Sequence, residues 1–463
     1  MQPFAQPLKH VLRRLARTPF FTFVTVLTLA AGIGANAAVF SVLEGVLLKP
    51  LPYPRADALV SLWHIASAFN MSAVDMAPSN YFIYREQNRT FQDSGFYQDD
   101  SVSVTGVSDP EQVPAFDVTD GTLPVLGIAP ALGRWFNGTE TSSGSPDTVI
   151  LTYGYWRRRF GADRSVIGRN ITVNGRPRQI VGVMPRGFQF LDWEEPALIL
   201  PLQLDRNKTF LGQFSYEGVA RLKPGVTLTE ANADIARMIP IVWDSFPPPP
   251  GFSLDLFKKA GLHVDLRPLK QDVVGDAGKL LWILMGSIGM VLLTACANVA
   301  NLMVVRAEGR CQEFAIRSAL GASWRRLAGE LLLESSAIGL FGSIAGLALA
   351  FGALRILAAL APAGLPRITE IAIDLPVLLF TLLASLLASL LFGSVSVLRY
   401  AGAHAAMGLR EGRTLSQSRE RHRVRNALFV VQVGLAFVLL VFSGLVIRTF
   451  GKLIQVDPML WCA

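Results

Sequence analysis

The chain has 463 residues, of which 51% are hydrophobic and only 17% are charged, and its mean hydropathy is +0.39. Soluble globular proteins carry about 25% charged residues, so this composition excludes a wholly soluble protein. The net charge is +8, yet Gly45 to Gly278 has 22 basic and 25 acidic residues. The basic excess therefore accompanies the apolar runs outside that stretch, which favours membrane topology over nucleic-acid binding.

Five apolar runs are long enough to cross a membrane, which takes about 20 residues in a helix. They lie at residues 20–43, 280–305, 331–354, 377–398 and 427–447. The first run also has features of a secretory signal, because basic residues precede it and Ala35-Asn36-Ala37 is a small-residue cleavage pattern. However, the run continues to Leu43, and Ala30, Gly34 and Ala38 recur every four residues, as in a packed membrane helix. A retained span is therefore favoured over a cleaved signal.

The loops between the runs differ in their content of Lys and Arg, which marks loops on the cytoplasmic side. Four such residues precede the first run, five separate the second from the third, and seven separate the fourth from the fifth. The loop between the third and fourth runs has only Arg355 and Arg367. This asymmetry predicts a multi-pass membrane protein with a cytoplasmic N-terminus and residues of about 45–278 outside. Glu334, near the start of the third run, can sit at the membrane interface.

The outer stretch, residues 45–278, has the mixed texture of an α+β domain. Strands are predicted at residues 148–151, 171–173, 179–183 and 263–266, and a helix at 228–243. Asn174-Gly175 is a strong signal for a two-residue hairpin turn.

Catalytic and metal chemistry are not indicated by the polar residues of this stretch. Asp99-Asp100 and Glu194-Glu195 are adjacent carboxylates, and neighbours on a strand point to opposite faces. The run Arg157-Arg158-Arg159 is interpreted as a solvated helix face rather than an anion site. No two of the five histidines have metal-ligand spacing, and the three cysteines make no disulfide framework.

Several long segments resemble one known family. They are LKHVLRRLARTPFFTFVTVLTLAAGIGANAAVFSVLEGVLLKPLPYPRADALVSL (8–62), VLGIAPALGRWF (125–136), VILTYGYWRRRFGADRSVIGRNITVNGRPRQIVGVMPRGFQF (149–190) and RAEGRCQEFAIRSALGASWRRLAGELLLES (306–335). Together they are similar to the MacB/FtsX-type permeases of ABC transporters, and most of all to the duplicated orphan permeases of the acidobacterial type. Residues 425–458 resemble the opening of the second copy in those proteins.

The resemblance implies a polytopic α-helical protein of the bacterial inner membrane with about five spans, and with a large α+β periplasmic domain between spans 1 and 2. Residues 1–44 would form the cytoplasmic N-terminus and first span, and 45–278 a MacB-like periplasmic core domain. Residues 279–400 would form an FtsX-like permease domain with three spans and a cytoplasmic coupling loop. Residues 401–463 would form a basic cytoplasmic linker and the fifth span. The chain would then correspond to the N-terminal half of an eight-span protein plus the start of its second copy, either as a truncated reading frame or as a fragment.

The resemblance also implies a function without catalysis by this chain. No G-x-x-x-x-G-K-[ST] phosphate-binding motif occurs, so no cofactor is expected here and ATP is expected on a separate ABC ATPase subunit. The expected role is export, or extraction from the periplasmic side, of a hydrophobic or amphipathic substrate. A second permease half or a homodimer, a periplasmic adaptor and the lipid bilayer are the other candidate partners. An FtsX-like signal relay that controls a periplasmic enzyme, or an inactive truncated copy, are the alternatives.

A short helix at residues 312–320 is the candidate for contact with the ATPase. Glu313 and Arg317 are spaced i,i+4, so they can pair on one face, and Gly321 is suited to end the helix. The resemblance implies that this segment docks into the ATPase, and an amphipathic helix lying on lipid is the alternative. The predicted coupling residues are Glu313, Phe314, Ile316, Arg317, Leu320 and Gly321.

Four further residues are predicted to pack the spans against one another. Gly342 and Gly346 form a G-x-x-x-G pattern, which permits close approach of two helix backbones. Asn298 and Asn301 are three residues apart near the end of the second run, so they share a helix face. Hydrogen bonds between helices are expected there rather than a path for substrate.

Overall fold

The computed structural model describes most of the chain. The described residues are 11, 13–106, 109–191, 196–275, 277–308, 313, 316, 324–360, 371–407, 430, 432–434, 436–438, 440, 441 and 444. The chain divides into two compact units, one made of Met1–Lys49 with Asp276–Ala463 and the other of Pro50–Gly275. We call the first the bundle and the second the lobe. The predicted domain boundaries were 44/45 and 278/279.

The helices and strands are as follows in chain order. The helices are α1 (Pro19–Leu43), α2 (Pro78–Gln87), α3 (Thr122–Leu126), α4 (Tyr153–Phe160), α5 (Leu228–Ser245), α6 (Leu254–Lys259), α7 (Leu269–Val274), α8 (Ala277–Glu308), α9 (Trp324–Leu360) and α10 (Leu375–Met407). The strands are β1 (Leu59–Ala66), β2 (Met71–Val74), β3 (Phe91–Thr105), β4 (Glu111–Val118), β5 (Leu132–Gly133), β6 (Thr148–Leu151), β7 (Asn170–Val173), β8 (Arg176–Val183), β9 (Leu198–Pro201), β10 (Glu217–Leu222) and β11 (Leu262–Pro268).

Among the described residues, the bundle contains four helices that are long and apolar enough to cross a membrane: Pro19–Leu48, Gly278–Arg306, Leu327–Leu357 and Leu375–Val395. They match the first four predicted spans. Most of the fifth predicted span lies outside the described residues. Residues from all four helices share one hydrophobic cluster, among them Leu29, Val299, Ile338 and Phe392.

The lobe is built on one mixed sheet of eleven strands in the order β11-β1-β10-β3-β4-β9-β6-β8-β5, with β2 beside β1 and β7 beside β3 and β8. Most neighbours are antiparallel, but β4 pairs with β9 and β6 with β8 in parallel. Successive residues of a strand point to opposite faces. Accordingly, Leu59 joins one hydrophobic cluster while Val60 joins another, and Tyr97 and Phe96 divide in the same way.

Local sequence signals explain two connections of the lobe. Asn174 and Gly175, with φ of 50° and 75°, join the antiparallel strands β7 and β8, so the predicted two-residue hairpin is confirmed. Helix α5 begins at a capping box, in which Glu230 N–H donates to the Thr227 side chain and Thr227 N–H donates to the Glu230 side chain. The mixed α+β architecture predicted for this region is confirmed.

Candidate coupling site

A short helical segment precedes the first span and is held against the bundle. Residues 13–16 are helical, and the side chains of Val11 and Leu15 are 6% and 4% exposed within the hydrophobic cluster of the bundle. These two residues are spaced i,i+4, so they share one face, while Arg13 is exposed. Burial of this apolar pair fixes the segment to the helices that it precedes.

Four charged side chains meet at the end of the bundle where α1 begins. We call Arg14, Arg306, Glu313 and Glu334 the arginine–glutamate cluster. Arg14 Nη2 lies 3.2 Å from Glu313 Oε1, and Arg14 Nη1 lies 3.9 Å from Glu334 Oε2. Arg306 Nη1 lies 3.2 Å from Glu334 Oε1. The cluster therefore joins the segment before α1, the end of α8, the start of α9 and the predicted coupling segment.

Glu334 is the most buried member of the cluster. Its side chain is 3% exposed and that of Arg306 is 12% exposed. The Arg306 guanidinium also lies 4.5 Å from the centroid of the Phe21 ring in α1, a favourable position for a cation over an aromatic face. An ionised carboxylate at this depth is stable only when it is paired. The structure places Glu334 inside the bundle between two arginines.

Two of the predicted coupling residues fall within the described part of the chain. Glu313 accepts a hydrogen bond from Arg14, 299 positions earlier in the chain. Ile316 is helical and 62% exposed. Phe314, Arg317, Leu320 and Gly321 lie outside the described residues. The described pair thus offers one residue tied to the bundle and one apolar residue open to a partner.

The two predicted glycines of α9 lie against the first span. A Cβ atom built on Gly342 would be 2.8 Å from Leu29 Cβ, and one built on Gly346 would be 3.0 Å from Gly34 N. In the opposite direction, a Cβ on Gly34 would be 2.7 Å from Gly346 O. Side chains at these positions would overlap with α1, so the absence of a Cβ lets the two helix backbones approach closely.

The predicted asparagines have different environments. Asn298 is exposed and accepts a hydrogen bond of 2.9 Å from Gln432, whereas Asn301 is half-buried. Sequence reasoning missed Asn36, which is 3% exposed and donates to the carbonyls of Gly32 and Ile288 at 2.8 and 3.0 Å. Asn36 therefore links α1 to α8. Its position in the middle of an apolar run was the signal for an intramembrane contact.

Two of the polar residues considered in the lobe, Arg158 and Arg159, contact other lobe residues. Asp99 is exposed on β3, and Glu194 and Glu195 lie outside the described residues. Arg159 on α4 pairs with Glu111, and Arg158 lies 5.5 Å from the centroid of the Tyr155 ring. Within the residues that the structure describes, no three His, Cys, Asp or Glu side chains are placed to hold a metal ion.

Four apolar helices long enough to span a bilayer, with a mixed α+β lobe inserted after the first of them, define a multi-pass membrane protein. Residues 22–238 match the family model of the MacB-like periplasmic core domain, and residues 285–405 match that of the FtsX-like permease C-terminal domain. The chain belongs to the MacB/FtsX-type permeases of ABC transporters, and the family expected from the sequence is confirmed.

Relatives named as ABC transporter permeases share limited identity with the chain. The uncharacterized ABC transporter permease YknZ of Bacillus subtilis is 20% identical over 53% of this chain and 58% of its own length. The macrolide export ATP-binding/permease protein MacB of Campylobacter jejuni is 24% identical over 49% of this chain and 33% of its own length. The chain thus spans between a third and three fifths of these two relatives. Among solved structures, the chain is similar to the crystal structure of the periplasmic region of MacB from Actinobacillus actinomycetemcomitans. The match covers 45% of this chain and 89% of the crystallised chain, at 13% identity and a TM-score of 0.33.

Proposed function

We propose that this permease is the membrane subunit of an ATP-driven transporter, in which a separate ATPase binds the segment around Glu313 and Ile316. The contact between Glu313 and Arg14 carries this proposal. It ties the predicted coupling segment to the residues directly before α1, and the chain continues from α1 into the lobe. A displacement of the coupling segment is thereby passed to the helix that leads to the lobe.

The rest of the arrangement follows from charge and composition. The excess of Lys and Arg on alternate short loops supports a cytoplasmic arginine–glutamate cluster and a periplasmic lobe in the bacterial inner membrane. The small number of ionisable residues within the spans supports action on a hydrophobic or amphipathic substrate from the periplasmic side, without a polar channel. A second permease half or a second copy, and a periplasmic adaptor, would complete the assembly.

Substitution of Ile316 tests the proposed docking. The chain is expressed with its ATPase, purified from the native membrane by a tag, and assayed for the amount of bound ATPase and for stimulated ATP hydrolysis. Ile316→Asp places a carboxylate on an exposed apolar side chain and is expected to lower both by about tenfold or more, since central interface residues contribute 2 kcal/mol or more. Ile167→Asp, at an exposed isoleucine of the lobe, is the matched control and should change neither. Equal ATPase binding and hydrolysis in the two variants would contradict the proposal.

Topology mapping tests the orientation independently. Single cysteines at Pro250 in the lobe and at Arg13 before α1 are labelled in intact cells with a reagent that does not cross the inner membrane. Because both native positions are exposed, both cysteines are accessible to a reagent on their own side. Labelling at 250 and protection at 13 are expected, and the reverse pattern would overturn the assignment of sides.

A further inference from the structure

The end of α1 that leads into the lobe carries an ionic bridge to another span. Lys49 Nζ lies 3.5 Å from Glu44 Oε2 and 3.1 Å from Asp374 Oδ2. Glu44 belongs to the continuation of α1, whereas Asp374 directly precedes α10. We call these three residues the lysine bridge. Burial alone lowers the pKa of Lys49, but the two carboxylates more than offset this effect and raise it, so the lysine is charged at neutral pH.

The backbone around the bridge has an unusual conformation. Glu44–Leu48 is a π-helix that continues α1, and it ends where Lys49 N–H donates to Glu44 O at 2.9 Å. Such wide turns are rare, occur mostly as single turns within α-helices, and are frequent at functional sites. The wide turn places Lys49 next to Glu44, and Glu44 is only 6% exposed. A carboxylate buried to this extent needs a cation beside it.

A second contact joins the same two helices next to the bridge. The rings of Phe40 in α1 and Phe380 in α10 are stacked, with centroids 4.1 Å apart and planes at 6°. Phe40 lies one turn before Glu44, and Phe380 lies less than two turns after Asp374. An apolar contact and an ionic contact therefore hold α1 and α10 together at the same end of the bundle.

We propose that Lys49 is a positioning residue that locks the end of α1 to the start of α10 and so fixes the point at which the chain leaves the bundle for the lobe. Lys49 is the last residue of the first segment of the bundle, and the lobe begins at Pro50. Lys49 therefore lies at the connection between α1 and the lobe, so a movement of α1 is transmitted to the lobe through this residue. This role needs no ATPase, so it stands or falls independently of the proposed function.

Hydrogen exchange on the full chain in lipid nanodiscs tests the lock, since amide exchange reports local opening. In Lys49→Met, amides of residues 44–49 and 377–380 are expected to exchange about tenfold faster, the change given by about 1.4 kcal/mol of local stability. Lys49→Arg keeps the charge and should remain within about threefold of the parent, a change below about 0.7 kcal/mol. Lys259→Met, at an exposed lysine of the lobe, is the control for loss of a charge and should leave both segments unchanged. Unchanged exchange in Lys49→Met would overturn the proposal.

A charge swap separates loss of the bridge from general damage. Lys49→Asp combined with Asp374→Lys again places one cation between two carboxylates, because Glu44 is retained. The double variant is expected to restore slow exchange in both segments, and exchange as fast as in Lys49→Met would overturn the lock. Should Lys49→Met fail to accumulate in the membrane, the double variant decides. Its accumulation with slow exchange supports the proposal, and its loss contradicts it.

Discussion

Glycine serves different purposes in the bundle and in the lobe. In the described residues, all thirteen glycines with positive φ lie between Gly106 and Gly275, in the lobe. The glycines of the spans have ordinary helical backbone angles, and several stand against another helix, as Gly34 and Gly346 do. The lobe uses the backbone freedom of glycine at its turns. It also uses the lack of a side chain at Gly95 and Gly182, where a Cβ would lie 2.3 Å from Thr122 N and 2.6 Å from Arg134 O. In the described spans, the lack of a side chain is what lets the helices pack closely.

Buried polar side chains are accommodated in two ways, shown here by one example from each region, although the lobe also holds a paired ion in Glu140 with Arg134. In the bundle, Glu334 is buried beside Arg306, so a charge is kept by pairing it with the opposite charge. In the lobe, His64 is fully buried, and its Nε2 lies 2.7 Å from the Tyr84 hydroxyl. Burial lowers the pKa of His64 to about 4, so the lobe keeps this group neutral. A paired ion and a neutral hydrogen bond are two solutions to the cost of burying a polar side chain.

The largest expected effect is that of removing the carboxylate of Glu334. Glu334→Ala would leave the largely buried Arg306 beside an apolar surface, and removal of one partner of a buried ion pair costs about 3–5 kcal/mol. Glu334→Gln keeps a hydrogen-bond acceptor and should cost less. The measurement is the stability of the purified full chain in detergent against a denaturant, followed by the exposure of the buried thiol of Cys296.

Glu330→Ala is the matched control, because this glutamate lies one turn earlier on the same helix and is exposed more than Glu334. A change at Glu334 no larger than that at Glu330 would show that the bundle does not depend on a paired charge at this depth.

The second effect concerns the lobe and depends on pH. The folded pKa of His64 is about 4 and the pKa of an unfolded histidine is about 6.5, so the unfolded state binds the proton more tightly. The stability that neutral His64 contributes is complete above pH 6.5 and is lost as pH falls towards 4, by about 3 kcal/mol in total. Hydrogen exchange of the β1 amides, measured between pH 4 and 7 and corrected for the intrinsic rate, should show this loss.

Replacement of His64 by a residue that does not titrate shows how much of the pH dependence of stability comes from His64. His64→Gln should flatten the pH dependence of β1 protection, while His263→Gln, at an exposed histidine on the neighbouring strand β11, should leave it as in the parent. A pH dependence that persists in His64→Gln would assign it to other groups.

Local patterns in the sequence were sufficient to predict individual elements. The first apolar run was predicted at 20–43 and the helix is Pro19–Leu43, and the strand at 148–151 is Thr148–Leu151. The order of the sheet was beyond such patterns. β4 and β9 pair in parallel although some 80 residues separate them, and alternation of apolar residues identifies a strand without naming its neighbour. Strand β3 was missed because its polar stretch around Asp99 conceals the alternation.

The same limit applies to the candidate site. Glu313 was singled out from its helical context, and Glu334 as an acidic residue in an apolar run. Arg14 and Arg306 were read only as markers of topology. Their meeting with the two glutamates depends on how the helices pack, and the partners Arg14 and Glu313 are 299 positions apart. A charged residue near the end of a span can mark the cytoplasmic side, or it can pair with a charge on another helix. The sequence alone does not distinguish the two roles, because pairing depends on how the helices pack.

A smaller effect tests whether the glycines of the spans are needed for space. Gly346→Leu would place a side chain against Gly34 and the carbonyl of Ala30, and overpacking of this kind costs about 1–3 kcal/mol. Gly352→Leu, two turns further along α9, is the matched control, because no atom lies within 4 Å of a Cβ built there. Disulfide formation between cysteines introduced at Leu29 and Ile338 reports the contact of α1 with α9. Similar rates in the two variants would show that α9 does not need a glycine at the crossing.

The smallest expected effect is in the β7–β8 turn and tests the other half of the comparison. Nothing lies within 4 Å of a Cβ built on Gly175, so space is not the constraint there, but its φ is +75°. Gly175→Ala should therefore cost about 1 kcal/mol through backbone strain, and Gly175→Asn should cost less, because asparagine tolerates left-handed angles. At Gly346 we expect the opposite order, with alanine costing less stability than asparagine. Asparagine is the larger side chain, and a Cβ at this site already lies close to α1. Hydrogen exchange of the β7 and β8 amides, and the α1–α9 disulfide rate, would measure the two orders. If asparagine is tolerated better than alanine at both Gly175 and Gly346, the backbone angle is the constraint at both positions, and the proposed difference between them is wrong.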